Sequence, residues 1–237
     1  MVKFKWQKRE NKLKAIIKKT PLLNEVAKVI YVIVMKFRFS GSKEYWERRY
    51  KSGGTSGEGS YGKLAEFKAE VINSFIKNNK INSVIEFGCG DGNQLSLFEI
   101  PNYIGLDVSE TAIKMCIERF KNDKTKSFFL YDPNCFVDNH SLFKADLTLS
   151  LDVIYHLVED HIYETYMKHL FSASKKYVII YSSDTDENPL IQSPHCKNRK
   201  FTKWVETNLP EWKLIQKIKN KYPNESMCDF FIYKRIK

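Results

Sequence analysis

The sequence predicts a doubly wound α/β fold, with helices on both faces of a mostly parallel seven-stranded sheet. Three observations carry that prediction. Residues 83–107, SVIEFGCGDGNQLSLFEIPNYIGLD, run from an apolar stretch through three glycines to a second apolar stretch that ends on a carboxylate. Further short apolar runs follow at 127–131, 145–154 and 177–181, separated by segments of helical period, the alternation expected of a parallel sheet. Two last runs, 212–218 and 228–233, flank the turn-rich NKYPNE and predict an antiparallel pair that closes the sheet.

At 237 residues the chain is long enough to bury one full core with an appendage. Its five cysteines are scattered with no C-x-x-C pair, which points to reduced thiols and offers no zinc site. No metal is expected. The net charge of +11 is concentrated at one end: residues 1–51 carry 15 Lys and Arg against 4 acids, and residues 52–237 carry 24 of each sign. A neutral body argues against a nucleic-acid groove, which needs a basic stripe across it.

Residues 1–39 form a basic helical appendage in which Phe4, Trp6, Leu13, Ile16 and Ile17 interleave with lysines. Its longest unbroken apolar run, VIYVIVM at 29–35, is seven residues, far below the ~20 that cross a bilayer. Two readings stand: an amphipathic anchor on an anionic membrane surface, or a helix packed on the domain or a partner. The first places the protein in the cytoplasm, peripheral at the inner face of the membrane.

Residues 40–62 hold five of the ten glycines between Gly53 and Gly62, flanked by Tyr45, Trp46, Tyr50 and Tyr61. Such a stretch is either a lid over a ligand, with Tyr61 a candidate for substrate contact, or a linker. Residues 63–78 follow as a helix with Leu64, Phe67, Val71 and Phe75 on one side. The first strand, 83–87, then meets Gly88, Gly90 and Gly92, where the absent side chains let a ligand approach the backbone. After a helix at 94–98, the second strand ends on Asp107, placed to accept both hydroxyls of a ribose. Glu86 and Asp91 beside the glycines repel a pyrophosphate and suit a cationic ligand, which disfavours a dinucleotide.

Ser109 caps a helix over 109–120 with Ala112, Ile113, Cys116, Ile117 and Phe120 as its buried stripe. Asp132 and Pro133 end the third strand, as a plain turn or as a ligand contact. The fourth strand leads into Asp152, Val153, Ile154, Tyr155, His156 and Leu157. A helix over 159–171 buries Ile162, Tyr166, Met167 and Leu170, leaving His161 and His169 on its wet face. His156 is either a general base, since imidazole titrates near neutrality, or a hydrogen-bonded core residue. After the fifth strand a polar insertion carries Asp184, His195 and Arg199, either substrate contacts or a solvated loop before a helix near Thr202.

E-F-G-C-G-D-G at 86–92 and I-G-L-D at 104–107 resemble the first two motifs of the class I S-adenosylmethionine-dependent methyltransferases. D-V-I-Y-H-L at 152–157 resembles their fourth. Two stretches, 45–67 and Pro194, His195, Arg199, Phe201, Thr202 and Trp204, are similar to bacterial members associated with surface-polysaccharide loci. The resemblance implies S-adenosylmethionine as cofactor, with Glu86, Gly88, Gly90 and Asp107 around its amino-acid and ribose portions and Asp132 on the adenine. It implies Leu151 and Asp152 as the floor beside the methyl, and a domain over 40–237. With His156 and His195 as candidate bases, O-methylation of a sugar, a glycan or another small polar molecule is expected. A nucleic-acid methyltransferase using the basic N-terminus and a non-catalytic cofactor-binding protein at a membrane surface are the alternatives.

Overall fold

A computed structural model describes residues 39–189 and 191–236, together with positions 29, 30, 33, 34 and 37. The expected appendage therefore lies almost wholly outside the described residues. Among the described residues no helix is long and apolar enough to cross a membrane.

Seven strands form one sheet: β1 (Val84–Phe87), β2 (Tyr103–Asp107), β3 (Lys126–Leu130), β4 (Ala145–Leu151), β5 (Ser174–Ser182), β6 (Trp212–Ile218) and β7 (Asp229–Arg235). Their order is β3-β2-β1-β4-β5-β7-β6. β1 lies parallel to β2 on one side and to β4 on the other, with Glu86 level with Gly105 and Leu149. Only β7 runs against its neighbours, as expected of the final pair. This is the class I methyltransferase fold. Because β1 and β4 connect outward in opposite directions, a crevice opens at their carboxyl ends.

The helices are α1 (Ser42–Lys51), α2 (Gly62–Asn78), α3 (Glu110–Arg119), α4 (Asp160–Ser172) and α5 (Phe201–Asn208). β1 and β4 are buried along their whole length, as strands covered on both faces must be. On one face Ile72 and Ile76 of α2 pack with Val84, Leu147, Ile179 and Phe230. On the other, Met167 and Leu170 of α4 and Phe201 of α5 pack with Ile85, Phe87 and Ile180.

Several local expectations are corrected. Residues 42–51 are not loop but a ten-residue helix, with Glu44 in its first turn and Arg48, Arg49 and Lys51 in its last, each matching the helix dipole. Residues 95–97 make only a 3₁₀ turn, which ends as Phe98 turns to extended backbone. Ile117 is exposed because the buried stripe of α3 stops at Cys116. His169 leaves the wet face and shares a hydrogen bond with the Tyr131 hydroxyl at 2.9 Å. In α2 Leu64 and Phe67 are buried as expected, but Ala65, Lys68, Ile72 and Ile76 are buried beside them, while Val71 and Phe75 are only partly covered.

Candidate active site

A cavity of about 270 Å³ occupies the crevice at the carboxyl ends of β1, β2 and β4. Its floor is the glycine turn. Gly88 and Gly90 have φ of +85° and +57°, and a Cβ on either would collide, with Val153 Cγ2 and Ser56 Oγ respectively. Asp107 closes one side. Its Oδ2 accepts from the Gly90 N–H at 2.9 Å and its Oδ1 from the Ser109 N–H at 2.8 Å, so the end of β2 is tied to the turn after β1. Glu86 accepts from the Tyr103 hydroxyl at 2.6 Å.

Both carboxyls are strained electrostatically. Burial pushes Glu86 up to about 7 and Asp107 up to about 6, because little positive charge compensates them. A cationic ligand in the cavity relieves that. A second sign of fit is Gln94, which lines the cavity and whose buried Oε1 has no hydrogen-bond partner among the described residues. Bare backbone, unrelieved carboxyls and an orphaned acceptor together match the sulfonium cofactor expected from the resemblance.

Residues 40–61 roof the cavity and are fastened to the body at several places. Ser42 donates from its N–H and its hydroxyl to the two oxygens of Glu159, at 2.9 and 2.6 Å. Lys43 pairs with Asp132 at 2.7 Å. Glu47 accepts from the hydroxyls of Ser109 and Thr111 at 2.6 and 2.7 Å, bonds that hold its carboxyl down at about 2. Asp91 accepts from the Ser56 N–H at 2.9 Å and the Tyr61 hydroxyl at 2.8 Å.

His156 lines the cavity beneath this roof, with the Trp46 ring edge-on at 4.9 Å. Its Nδ1 lies 2.9 Å from the His195 carbonyl, so Nδ1 donates and Nε2 carries the lone pair, with no hydrogen-bond partner among the described residues. Burial pushes the imidazole down to about 4, leaving it uncharged at neutral pH. Leu151 and Asp152 also line the cavity; Asp152, at φ +60°, accepts from the Lys68 ammonium at 2.6 Å. Asp132 lines it too, beside Lys43.

Four expected site residues sit elsewhere. His195 stacks on Tyr45 at 4.1 Å, outside the cavity lining; it meets His156 through its carbonyl at 2.9 Å and through its ring, which stacks on that of His156 at 5.4 Å. Its ring, that of His156 and the Cys196 thiol bring potential metal-ligand atoms within 4.8 Å of one another, but His195 Nε2 faces the Tyr45 hydroxyl at 3.3 Å. Arg199 spends its guanidinium on the carbonyls of Leu157 and Val158, on Asp160 and on the face of Tyr163, clamping the insertion to α4. Asp184 accepts from the Thr202 N–H at 3.0 Å and so caps α5. Tyr61 is held by Asp91 rather than turned into the cavity.

Sequence reasoning passed over Lys68 and Gln94. The available signal was a lysine within two residues of apolar positions on either side of the α2 stripe.

A profile of the methyltransferase domain matches residues 61–228. A small RNA 2'-O-methyltransferase from Arabidopsis thaliana is 28% identical over 140 residues, 54% of this chain and 15% of that protein's length. Two solved structures share the fold. The N-methyltransferase NodS from Bradyrhizobium japonicum, in complex with S-adenosyl-L-homocysteine, superposes with a TM-score of 0.64 at 13% identity, covering 84% of this chain and 100% of that one. Magnesium protoporphyrin IX methyltransferase from Synechocystis, with bound SAM, gives 0.54 at 15%, covering 86% and 95%. The glycine turn, the strand-end Asp107 and the roofed crevice all fall within or beside the matched span, and by that match the chain belongs to the methyltransferase-domain family.

Proposed function

We propose that the protein transfers the methyl group of S-adenosylmethionine to a hydroxyl of a small polar acceptor, a sugar or glycan unit being the fitting class. The observation behind this reading is His156, uncharged on the cavity wall with its Nε2 lone pair unpartnered among the described residues. Bound S-adenosylmethionine supplies a methyl already activated on a sulfonium. The residues of the chain therefore have to align the acceptor and exclude water. Gly88 and Gly90 admit the cofactor against backbone, Asp107 is placed for the ribose hydroxyls, and Glu86 faces the cationic side. Residues 40–61 act as the lid.

His156 Nε2 accepts the hydrogen of the acceptor hydroxyl and so orients its oxygen. Methyl transfer from bound S-adenosylmethionine would leave the acceptor's hydroxyl hydrogen strongly acidic. It then passes to His156 even though burial keeps that imidazole a weak base. His195 holds the tautomer through its carbonyl.

Transfer of labelled methyl to cell-envelope glycans, small metabolites and RNA, offered separately, tests the reading. Label in either of the first two, with turnover lowered roughly 10²- to 10⁴-fold in His156→Ala at unchanged cofactor affinity, supports it. Full turnover in that variant removes the base. A second reading, 2'-O-methylation of RNA, is favoured by the Arabidopsis relative and uses the same hydroxyl chemistry. The balance of 24 cations and 24 acids over residues 52–237 speaks against it. Label confined to RNA, with binding that falls steeply in salt, establishes it instead.

A further inference from the structure

Positions 29, 30, 33, 34 and 37 are helical, and their side chains, Val29, Ile30, Ile33, Val34 and Phe37, are between 42 and 89% exposed. Their spacing puts all five on one side of a helix, the side that a helix packed on its own domain would bury. Holding five large apolar side chains together in water is unfavourable, so this face calls for an occupant.

The charge around the face selects that occupant. Residues 1–39 carry 11 Lys and Arg against two acids, Glu10 and Glu25, and Lys28, Lys36 and Arg38 flank the apolar positions in sequence. A second copy of the chain would bring the same positive charge to the face and be repelled by it. A nucleic-acid backbone would answer the cations but offer nothing to the aliphatic side chains. An anionic lipid surface meets both demands, since its headgroups attract the cations and its acyl boundary takes up the apolar side.

We propose that the face formed by Val29, Ile30, Ile33, Val34 and Phe37 docks the protein on an anionic lipid bilayer, with the basic residues of 1–39 held at the headgroups. Ser40, which lines the cavity, follows Phe37 by three residues. Three residues of chain reach at most about 11 Å, so docking holds that part of the cavity wall close to the lipid surface.

Sedimentation of the full chain with vesicles tests this, using phosphatidylcholine alone and phosphatidylcholine mixed with phosphatidylglycerol. Binding to the mixed vesicles is expected to be roughly tenfold tighter or more, and to weaken as salt is raised. Ile30→Ser/Ile33→Ser/Phe37→Ser is expected to lower that binding roughly 10- to 100-fold, while S-adenosylhomocysteine affinity and the thermal midpoint stay as in the parent. Phe37→Ser alone, at the most exposed of the five positions, is expected to lower it roughly three- to tenfold, which keeps the face testable should the triple variant unfold. Equal binding to the two kinds of vesicle, or variants that bind the mixed vesicles as tightly as the parent, overturns the proposal. So does a lipid-free dimer in analytical ultracentrifugation that the triple variant dissociates, since the face then belongs to a second copy.

Discussion

The Tyr61 hydroxyl donates to Asp91 Oδ2 at 2.8 Å, fastening the residue before α2 to the middle of the glycine turn. The same carboxylate accepts from the Ser56 and Asn93 N–H groups at 2.9 and 3.0 Å. Asp91, 1% exposed, thus joins the roof to the floor of the cavity instead of facing a ligand.

Removing one of these bonds and removing all of them should differ in degree. Tyr61→Phe is expected to cost about 1 kcal/mol, and Asp91→Ala about 3 kcal/mol, because two N–H groups then lose their acceptor. In hydrogen exchange monitored by mass spectrometry, Asp91→Ala should show faster exchange over residues 52–61 while β4 and β5 stay protected. Uniform acceleration across the sheet would mean global destabilisation and no separate roof motion.

Gly90 cannot take a side chain, for two reasons that act together. Its φ of +57° disfavours one, and a Cβ there meets the Ser56 hydroxyl, which itself accepts from the Asp91 N–H at 2.9 Å. Gly90→Ala should lose cofactor affinity by at least tenfold while changing thermal stability by only a few degrees. Unchanged affinity in an isothermal titration would refute the role of the turn.

Cofactor affinity should depend on pH with a definite sign. In the free protein Glu86 stays protonated up to about 7 and Asp107 up to about 6. A cation favours their ionised forms, so binding below those values must expel protons and is weakened. S-adenosylmethionine affinity is therefore expected to rise from pH 5 to pH 8 and level off above about 7. S-adenosylhomocysteine, uncharged at sulfur, should show a smaller rise. Parallel curves for the two ligands would remove the electrostatic argument.

The same raised carboxyl predicts a stability window. Glu86 has a folded pKa of about 7 against an ordinary value of 4.5, so its contribution is fully present below 4.5 and is lost as pH rises through 7. Glu86→Gln, which keeps an acceptor for the Tyr103 hydroxyl, should be more stable than the parent at pH 8 by about 3 kcal/mol and show little gain at pH 4. Denaturant unfolding at the two pH values measures the difference. An equal gain at both would assign the effect to packing.

Much of this protein was legible along the chain, for a physical reason. A strand, a glycine turn and a strand-end acid are local in sequence, so spacing places Glu86, Gly88, Gly90 and Asp107 along one crevice, and apolar period marked all seven strands. The misplacements of Arg199, Asp184 and Tyr61 share a cause. Each is polar and stands near a motif, but its partner, Leu157 and Asp160, Thr202 or Asp91, lies from 18 to 42 residues away. Whether such a group faces a ligand or satisfies a buried backbone or carboxylate depends on which surfaces meet, and spacing carries no record of that.

The chain by itself determined the order of elements, the glycine turn, the neutrality of the body and the acids that border the turn. Only the folded arrangement decided that residues 42–51 are a helix pinned over the crevice, that His156 faces the cavity while His195 stands behind it, and that α2 turns Lys68 inward. Helical period narrows the inward side to a few neighbouring positions. The surface packed against the helix chooses among them, and here β1 and β4 brought Asp152 to where a buried ammonium has a partner.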